Sequence, residues 1–253
     1  MIYTSEFYQI FLDAIRADSR GLSVSVDEFN RMLRMTNQEY YDDLIDNFEV
    51  NTHVTGDLAY FKTHNYAISL SLSGDAKVGN LPANYYYLIG KPRVVNTAGL
   101  TRRVDLVTTY EDAVREEDYL TMATETHPTA TIGGLSPTYD LQIRVKPTTL
   151  TTIYIDYFRT IDAPYLDYYV SNTTLNNTYL SETLTPQSVP SGYTYRDGTV
   201  GGTGVTVTSL TKDMLWDNSD IPMLLAKMLK KAGVQLPDEL LIQSGVAEET
   251  KNE

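Results

Sequence analysis

The acidic side chains gather in two clusters, and paired carboxylates are the groups that hydrolyse glycosides or bind cations. The first cluster comprises Asp42, Asp43 and Asp46, and the second comprises the acids of segment 111–118. Both clusters fall in segments with helical patterning, where neighbouring acids are typical of a solvated helix face. No D-x-D-x-D-G calcium loop is present. The pattern therefore favours solvent exposure over catalysis.

The other residue types that carry chemistry are sparse. The chain has no cysteine, which excludes disulfides, thiolate metal sites and cysteine nucleophiles. The histidines, His53, His64 and His127, have no metal-ligand spacing. The glycine-rich run 198–204 precedes a strand pattern, whereas a dinucleotide fingerprint requires a helix there. We therefore predict no catalytic residue, no metal and no cofactor.

Tyrosine is unusually frequent, with 20 residues against 6 Phe and 1 Trp. It favours half-buried strands and protein interfaces, where one end of the side chain packs and the other stays wet. Clustered tyrosines are also compatible with a sugar-stacking platform. We favour a subunit interface. The residues predicted to form it are Tyr165, Tyr168, Tyr169, Tyr179, Tyr193, Tyr195, Leu240 and Leu241.

The net charge limits the classes of partner that the chain is expected to bind. The chain has 33 acidic and 20 basic residues, giving a net charge of −13. Nucleic-acid and anionic-membrane binding both need clustered Lys and Arg, so neither is expected. No apolar run approaches the roughly 18 residues of a membrane helix. The first residues lack the basic and apolar regions of a signal peptide.

Helical patterning occupies both ends of the chain. Apolar residues of segment 7–15 recur at helical spacing, with Ser5 as the predicted N-cap. Ser25 and Glu28 form a capping box that opens a second helix, predicted over 26–47.

Near the other end, Pro222 suits the first turn of a helix that Gly233 stops. A last helix is predicted from Pro237, and it carries Leu240 and Leu241.

Between these helices the apolar period changes from 3.6 to 2, which predicts strands. A short acidic helix is predicted over 111–119, and a loop through Gly133 and Gly134. The last two strands are expected to pair as an antiparallel hairpin. The predicted strands cover residues 66–72, 85–89, 92–96, 102–109, 141–147 and 152–158.

This order of elements predicts an α+β protein. In it the N- and C-terminal helices pack as a helical body, with a central antiparallel β region and a long hairpin insertion. The insertion is rich in Thr, Asn and Gly and poor in charge. Four segments follow from this plan: an N-terminal helical pair (1–50), a β-rich body with a short acidic helix (51–165), the Thr/Tyr/Gly-rich hairpin (166–213) and C-terminal helices (214–253).

Several stretches, taken in order, resemble the head-to-tail connector (neck ring) proteins of short-tailed, crAss-like bacteriophages. They include an S-V-D-E-F-N helix start, a strand that runs into a short acidic helix, and an H-P-T followed by P-T-Y. The resemblance extends over about residues 20–165 and 214–250. The stretches are residues 25–33, 104–115, 127–129, 137–139, 143–147, 153–164 and 216–222.

The resemblance implies a non-enzymatic virion protein. About twelve copies would form a homo-oligomeric ring below the portal, in contact with the portal protein and neighbouring ring or tail proteins. DNA would pass through without specific binding, and assembly would take place in the host bacterial cytoplasm. The alternatives are another virion component, such as a tail hub or fibre-attachment protein, and a carbohydrate-binding or adhesin module. An enzyme is a further class, and it would need convergent polar groups in one deep pocket.

Overall fold

The computed structural model is a mixed α+β protein, as the sequence predicts. Its contacts divide the chain into two compact units: residues 1–60 with 161–253 form unit 1, and residues 61–160 form unit 2. The structure describes residues 1–16, 24–48, 56–118, 120–135, 141–182 and 185–233.

The helices bounded within these residues are α1 (Thr4–Arg16), α2 (Val26–Asp46), α3 (Thr109–Glu117) and α4 (Ile221–Lys231), with 3-10 turns at Ala59–Phe61 and Asn218–Asp220. The strands are β1 (Lys62–Ser69), β2 (Ser71–Ser73), β3 (Ala76–Asn80), β4 (Tyr85–Val95), β5 (Thr101–Arg103), β6 (Asp105–Leu106), β7 (Thr129–Leu135), β8 (Leu141–Lys146), β9 (Thr152–Arg159), β10 (Tyr168–Ser171), β11 (Asn177–Tyr179), β12 (Gln187–Ser188), β13 (Tyr193–Tyr195) and β14 (Thr206–Val207).

The first two helices begin in different ways, α2 at a local cap and α1 at a distant carboxylate. The predicted capping box of α2 is confirmed: Ser25 N donates to Glu28 Oε2 at 2.9 Å, and Glu28 N donates to Ser25 Oγ at 3.3 Å. The prediction that Ser5 caps α1 is wrong, because the helix already includes Thr4. Thr4 N donates to Asp213 Oδ1 at 2.8 Å, so a distant carboxylate takes the place of a local cap.

Helix α4 packs against α1 and α2 within unit 1. Pro222 lies in its first turn, as predicted. Lys227 Nζ lies 2.6 Å from Asp43 Oδ2, which ties α4 to α2. The Tyr40 and Trp216 rings meet edge to face with centroids 5.0 Å apart. The helix predicted from Pro237 lies outside the described residues.

Segment 166–213 differs from the single extended hairpin that we predicted. Strands β11, β10 and β13 form a three-stranded antiparallel sheet, and β12 pairs with β14. Leu180, Val189 and Tyr195 are buried together, which gives this segment a small core of its own. Apolar burial, which a solvated hairpin would lack, stabilises the compact arrangement.

Unit 2 consists of two sheets that share one apolar core. Their strand orders are β1-β9-β4-β5 and β2-β3-β8-β7-β6. All of the pairs are antiparallel except β6 with β7.

The predicted hairpin of β8 with β9 is wrong. Strand β8 pairs with β3 and β7, whereas β9 pairs with β1 and β4. Ile143 of β8 and Ile153 of β9 both belong to the buried core. Placing the two strands in different sheets lets both apolar faces line that core.

Three further strand predictions need correction. The glycine pair Gly133 and Gly134 lies within β7, at a register shift against β8, and not in a loop. Positive φ angles of 157° and 78° show why glycine is suited to this bulge.

The strands predicted at 85–89 and 92–96 form one bulged strand, β4. The strand predicted at 102–109 divides into β5 and β6, and Thr109 begins α3.

Candidate interaction surfaces

The six tyrosines predicted to form an interface lie in one region of unit 1, on β10, β11, β13 or the segment just before β10. None is among the strongly exposed side chains, and Tyr195 is only 5% exposed. The Tyr169 and Tyr193 rings meet edge to face at 5.0 Å, and so do Tyr8 and Tyr179 at 5.3 Å. These rings therefore contribute to packing within the unit, and their part in a subunit interface stays a prediction.

A buried carboxylate organises this region. Asp167 is fully buried, and its Oδ1 accepts hydrogen bonds from Arg196 Nε at 2.7 Å and Tyr168 N at 3.0 Å. Its Oδ2 accepts hydrogen bonds from the Tyr195 hydroxyl and from Leu210 N at 2.9 Å. Four donors therefore compensate the desolvation of the charge.

The Arg196 guanidinium completes this arrangement. Its Cζ lies 5.3 Å from the centroid of the Tyr165 ring and 5.5 Å from that of Tyr195, both within cation–π range. Burial raises the pKa of Tyr195 to about 12, and the hydrogen bond to Asp167 adds to the shift. The phenol therefore stays protonated at neutral pH. The arrangement is a satisfied structural network without a reactive group.

A wide groove lies beside this network, along the exposed face of α2. Its volume is about 690 Å³, and it is open to solvent. Met35 is 61% exposed there, although it is a large apolar residue. Tyr168 hydroxyl donates to Asp27 Oδ1 at 3.4 Å and so joins β10 to this face. The lining residues are Ser25, Asp27, Glu28, Asn30, Arg31, Arg34, Met35 and Tyr165.

We call this surface the α2 groove. It combines the residue types enriched at protein interfaces, namely Tyr, Met and Arg, with the carboxylates of Asp27 and Glu28. Of its lining, only Tyr165 was predicted from sequence. The sequence does contain one signal for the other lining residues. Met35 is a large apolar residue of α2 that lies outside the apolar stripe formed by residues such as Phe29 and Leu33. Leu240 and Leu241, the other predicted interface residues, lie outside the described residues.

Three carboxylates of unit 2 converge on Lys146, whose side chain is only 10% exposed. Its Nζ lies 2.8 Å from Asp112 Oδ2 and 3.2 Å from Asp75 Oδ2, and it also pairs with Glu116. These groups line a recess of about 220 Å³. We call this arrangement the Lys146 cluster. Sequence patterning placed the acids of α3 in solvent, and it could not anticipate that two of them meet one lysine.

The cluster does not suit nucleophilic catalysis. Burial alone would lower the pKa of Lys146, but hydrogen bonds to Asp112, Glu116 and Asp75 outweigh burial and raise it. A lysine acts as a nucleophile or base only when its pKa is depressed. The ammonium ion instead serves as a charged anchor that holds α3 against β8.

The remaining residues considered for chemistry lie apart from one another. His64 Nδ1 is 3.9 Å from Asp156 Oδ1, and His127 Nδ1 contacts Thr126 Oγ1 at 3.1 Å. His53 lies outside the described residues. Gly198 has a φ of 93° in a turn, and no helix follows it there, as predicted.

Two further kinds of feature are absent from the described part of the chain. No group of three or more His, Cys, Asp or Glu residues there could hold a metal ion. None of the helices in that part is both long enough and apolar enough to cross a bilayer.

Comparison with known proteins gives no relative from which a function could be transferred. No protein-family model matches the chain, and no curated protein matches it.

Proposed function

We propose that this protein is a non-enzymatic structural component of a bacteriophage particle. In this proposal it forms a homo-oligomeric ring in the neck, between portal and tail, around the DNA channel. The terminal helices form a body from which the β elements contact neighbouring subunits, the portal protein and adjacent ring or tail proteins.

The observation that carries the proposal is the α2 groove. Arg31, Arg34, Met35 and Tyr165 supply the side chains favoured at protein interfaces, and Asp27 adds the opposite charge. The groove is open to solvent and its lining extends from Ser25 to Met35, whereas a small-molecule pocket encloses its ligand. A ring needs each subunit to offer a surface that receives a different surface of its neighbour. The α2 groove has the character of such a receiving surface.

The charge of the chain also supports the proposal. At −13 per copy, a ring of many copies carries a strongly acidic field. An acidic channel repels DNA phosphates, so the DNA passes without being held by the counterion release that drives tight binding.

The test has two parts. In the first, the mass distribution of the full chain is measured in solution by mass photometry, and closed rings are sought by electron microscopy. In the second, the portal vertex of the particle whose genome encodes the chain is reconstructed by cryo-EM. We expect closed rings in solution and density for this chain directly below the portal.

A groove variant and a matched control connect assembly to this surface. Met35→Glu combined with Arg34→Glu should reduce ring formation at least about tenfold, because it introduces acids into an interface of an already acidic chain. Leu210→Ser alters another exposed apolar side chain of unit 1 and should assemble normally. Normal assembly by the groove variant would exclude the groove as the interface. A purely monomeric chain that binds glycans would overturn the ring proposal in favour of an adhesin.

A further inference from the structure

Helix α3 contributes no buried side chain to unit 2. Tyr110 is 79% exposed and Val114 49% exposed, and Leu120 in the turn after the helix is 89% exposed. We call these three residues the α3 surface. Exposed apolar side chains gathered on one short element are characteristic of an interaction site.

The helix is nevertheless well formed and fixed in place. Thr108 N donates to Glu111 Oε2 at 2.9 Å, and Glu111 N donates to Thr108 Oγ1 at 3.2 Å, which completes a capping box. Asp112 and Glu116 both pair with Lys146. Ionic contacts, and not apolar packing, therefore hold α3 on the sheet.

The anchored and exposed faces are opposite. At about 100° per residue, Asp112 points about 160° away from both Tyr110 and Val114. Glu116 points about 160° away from Val114 and about 120° away from Tyr110. The same arithmetic places Glu117 within about 20° of Tyr110. Holding α3 through its acidic face therefore turns its apolar face outward.

Leu120 and the two residues that follow it are also held by hydrogen bonds. Leu120 N donates to Asp118 Oδ1 at 3.0 Å, and both Thr121 N and Met122 N donate to Asp118 O at 3.0 Å. These bonds satisfy the backbone N–H groups of residues 120–122, so the exposure of Leu120 belongs to a defined conformation.

The charges around this surface indicate what it contacts. Segment 109–118 has five acidic residues and one basic residue. Asp112 and Glu116 both pair with Lys146, whereas Glu117, on the exposed face, has no ion-pair partner among the described residues. A partner that covers Tyr110 must therefore place a cation opposite Glu117 to avoid burying an unpaired charge.

We propose that the α3 surface docks a different protein, whose contact region is an apolar recess flanked by Lys or Arg. The α3 surface of a second copy is a poor occupant, because segment 109–118 of that copy has the same five acidic residues against one basic residue. Apposing two α3 surfaces would also bring two Glu117 carboxylates together. This inference does not depend on the ring proposal, since it names a partner other than the chain itself.

The test uses fluorescence anisotropy of labelled synthetic amphipathic helices with the full chain. One synthetic helix, the lysine helix, consists of an apolar leucine face flanked by lysine. The other, the glutamate helix, has glutamate at each lysine position. We expect the lysine helix to bind, with an affinity that falls as salt rises, and the glutamate helix not to bind. Tyr110→Ser combined with Val114→Ser should weaken binding of the lysine helix at least about tenfold, because it removes the apolar anchors.

Two further variants separate the α3 surface from general charge attraction. Leu72→Ser removes an apolar side chain of β2 that is 66% exposed, and binding should be unchanged. Glu117→Lys should abolish binding of the lysine helix, and the circular dichroism spectrum of the variant protein should match that of the unaltered chain.

Three outcomes would overturn the proposal. The Tyr110/Val114 variant could bind the lysine helix as tightly as the unaltered chain does, or the unaltered chain could bind neither synthetic helix. In the third, the chain self-associates and the Tyr110/Val114 variant abolishes that self-association. Ring formation is measured separately by mass photometry. Failure of the docking proposal therefore leaves the ring proposal untouched, and the reverse also holds.

Discussion

Asn30 of α2 and Leu166 of the segment before β10 exchange two hydrogen bonds inside unit 1. Asn30 Nδ2 donates to Leu166 O, and Leu166 N donates to Asn30 Oδ1, both at 2.9 Å. Both residues are buried. The amide thus mimics a paired strand and satisfies the backbone where the chain passes beside the helix.

Replacing Asn30 tests this relationship. Asn30→Ala should lower the free energy of unfolding by about 2–4 kcal/mol, because it leaves a buried donor and a buried acceptor without partners. The measurement is urea unfolding followed by circular dichroism. Asn47→Ala, at an exposed amide that donates to Asp43 O, is the control and should cost less than about 1 kcal/mol. Equal losses of unfolding free energy in the two variants would contradict the conclusion that the Asn30–Leu166 hydrogen bonds stabilise unit 1.

The Lys146 cluster makes a prediction for unit 2. Lys146→Met should destabilise the protein by about 1–3 kcal/mol, since three carboxylates lose a common partner while solvent screens those that are partly exposed. The control is Lys91→Met, whose pair with Asp105 at 2.8 Å is exposed on both sides. That variant should change stability by less than about 1 kcal/mol. Thermal unfolding of both variants at neutral pH provides the comparison.

Acid should weaken the fold through its paired carboxylates. Hydrogen bonds to Lys146 and Lys231 lower the pKa values of Asp75 and Glu39 from their ordinary values of 3.8 and 4.5. Their stabilisation is present above those values and is lost as the pH falls through the lowered pKa values. The melting temperature should therefore stay level from about pH 6 to 8 and decline below about pH 4. A melting temperature that rises on acidification would contradict this.

Alkali should act through Tyr195. Its pKa is raised from the ordinary value of 10 to about 12. The stability that the protonated phenol contributes is therefore fully present below pH 10 and is lost as the pH rises through 12. Asp167→Asn removes the charge that contributes to the shift and should lower the pKa of Tyr195. The pKa is measured by NMR titration of the Tyr195 Cζ resonance in 13C-tyrosine protein. An unchanged titration midpoint would show that burial alone sets it.

Two adjacent glycines give a backbone test. A Cβ on Gly201 would lie 2.0 Å from Pro190 O, whereas a Cβ on Gly202 would meet its nearest atom, Val205 Cγ2, at 4.0 Å. Gly201→Ala should therefore cost about 2–3 kcal/mol, because the backbone at Pro190 must move. Gly202→Ala should change stability by about 0.5 kcal/mol or less. Chemical denaturation of the two variants decides whether the close approach exists.

Local patterns in the sequence determined the described helices and about half of the strands of this protein, among them the long strands β1, β4 and β9. The capping box at Ser25 and Glu28 fixed the start of α2, because both of its partners lie within four residues. The short acidic helix predicted over 111–119 from its lack of strand alternation is observed as α3, Thr109–Glu117, and Thr108 and Glu111 cap it locally. The absence of cysteine and the acidic net charge were likewise readable without a structure.

The tertiary structure alone decided the strand partners and the charged clusters. Alternating apolar residues show that β8 and β9 are strands, but any strand of matching pattern satisfies their hydrogen bonds equally well. Lys146 meets acids 30 and more positions away, and Asp167 binds donors from β13 and from the loop before α4. Such contacts depend on where distant segments are brought together, and the spacing of residues along the chain does not contain that information.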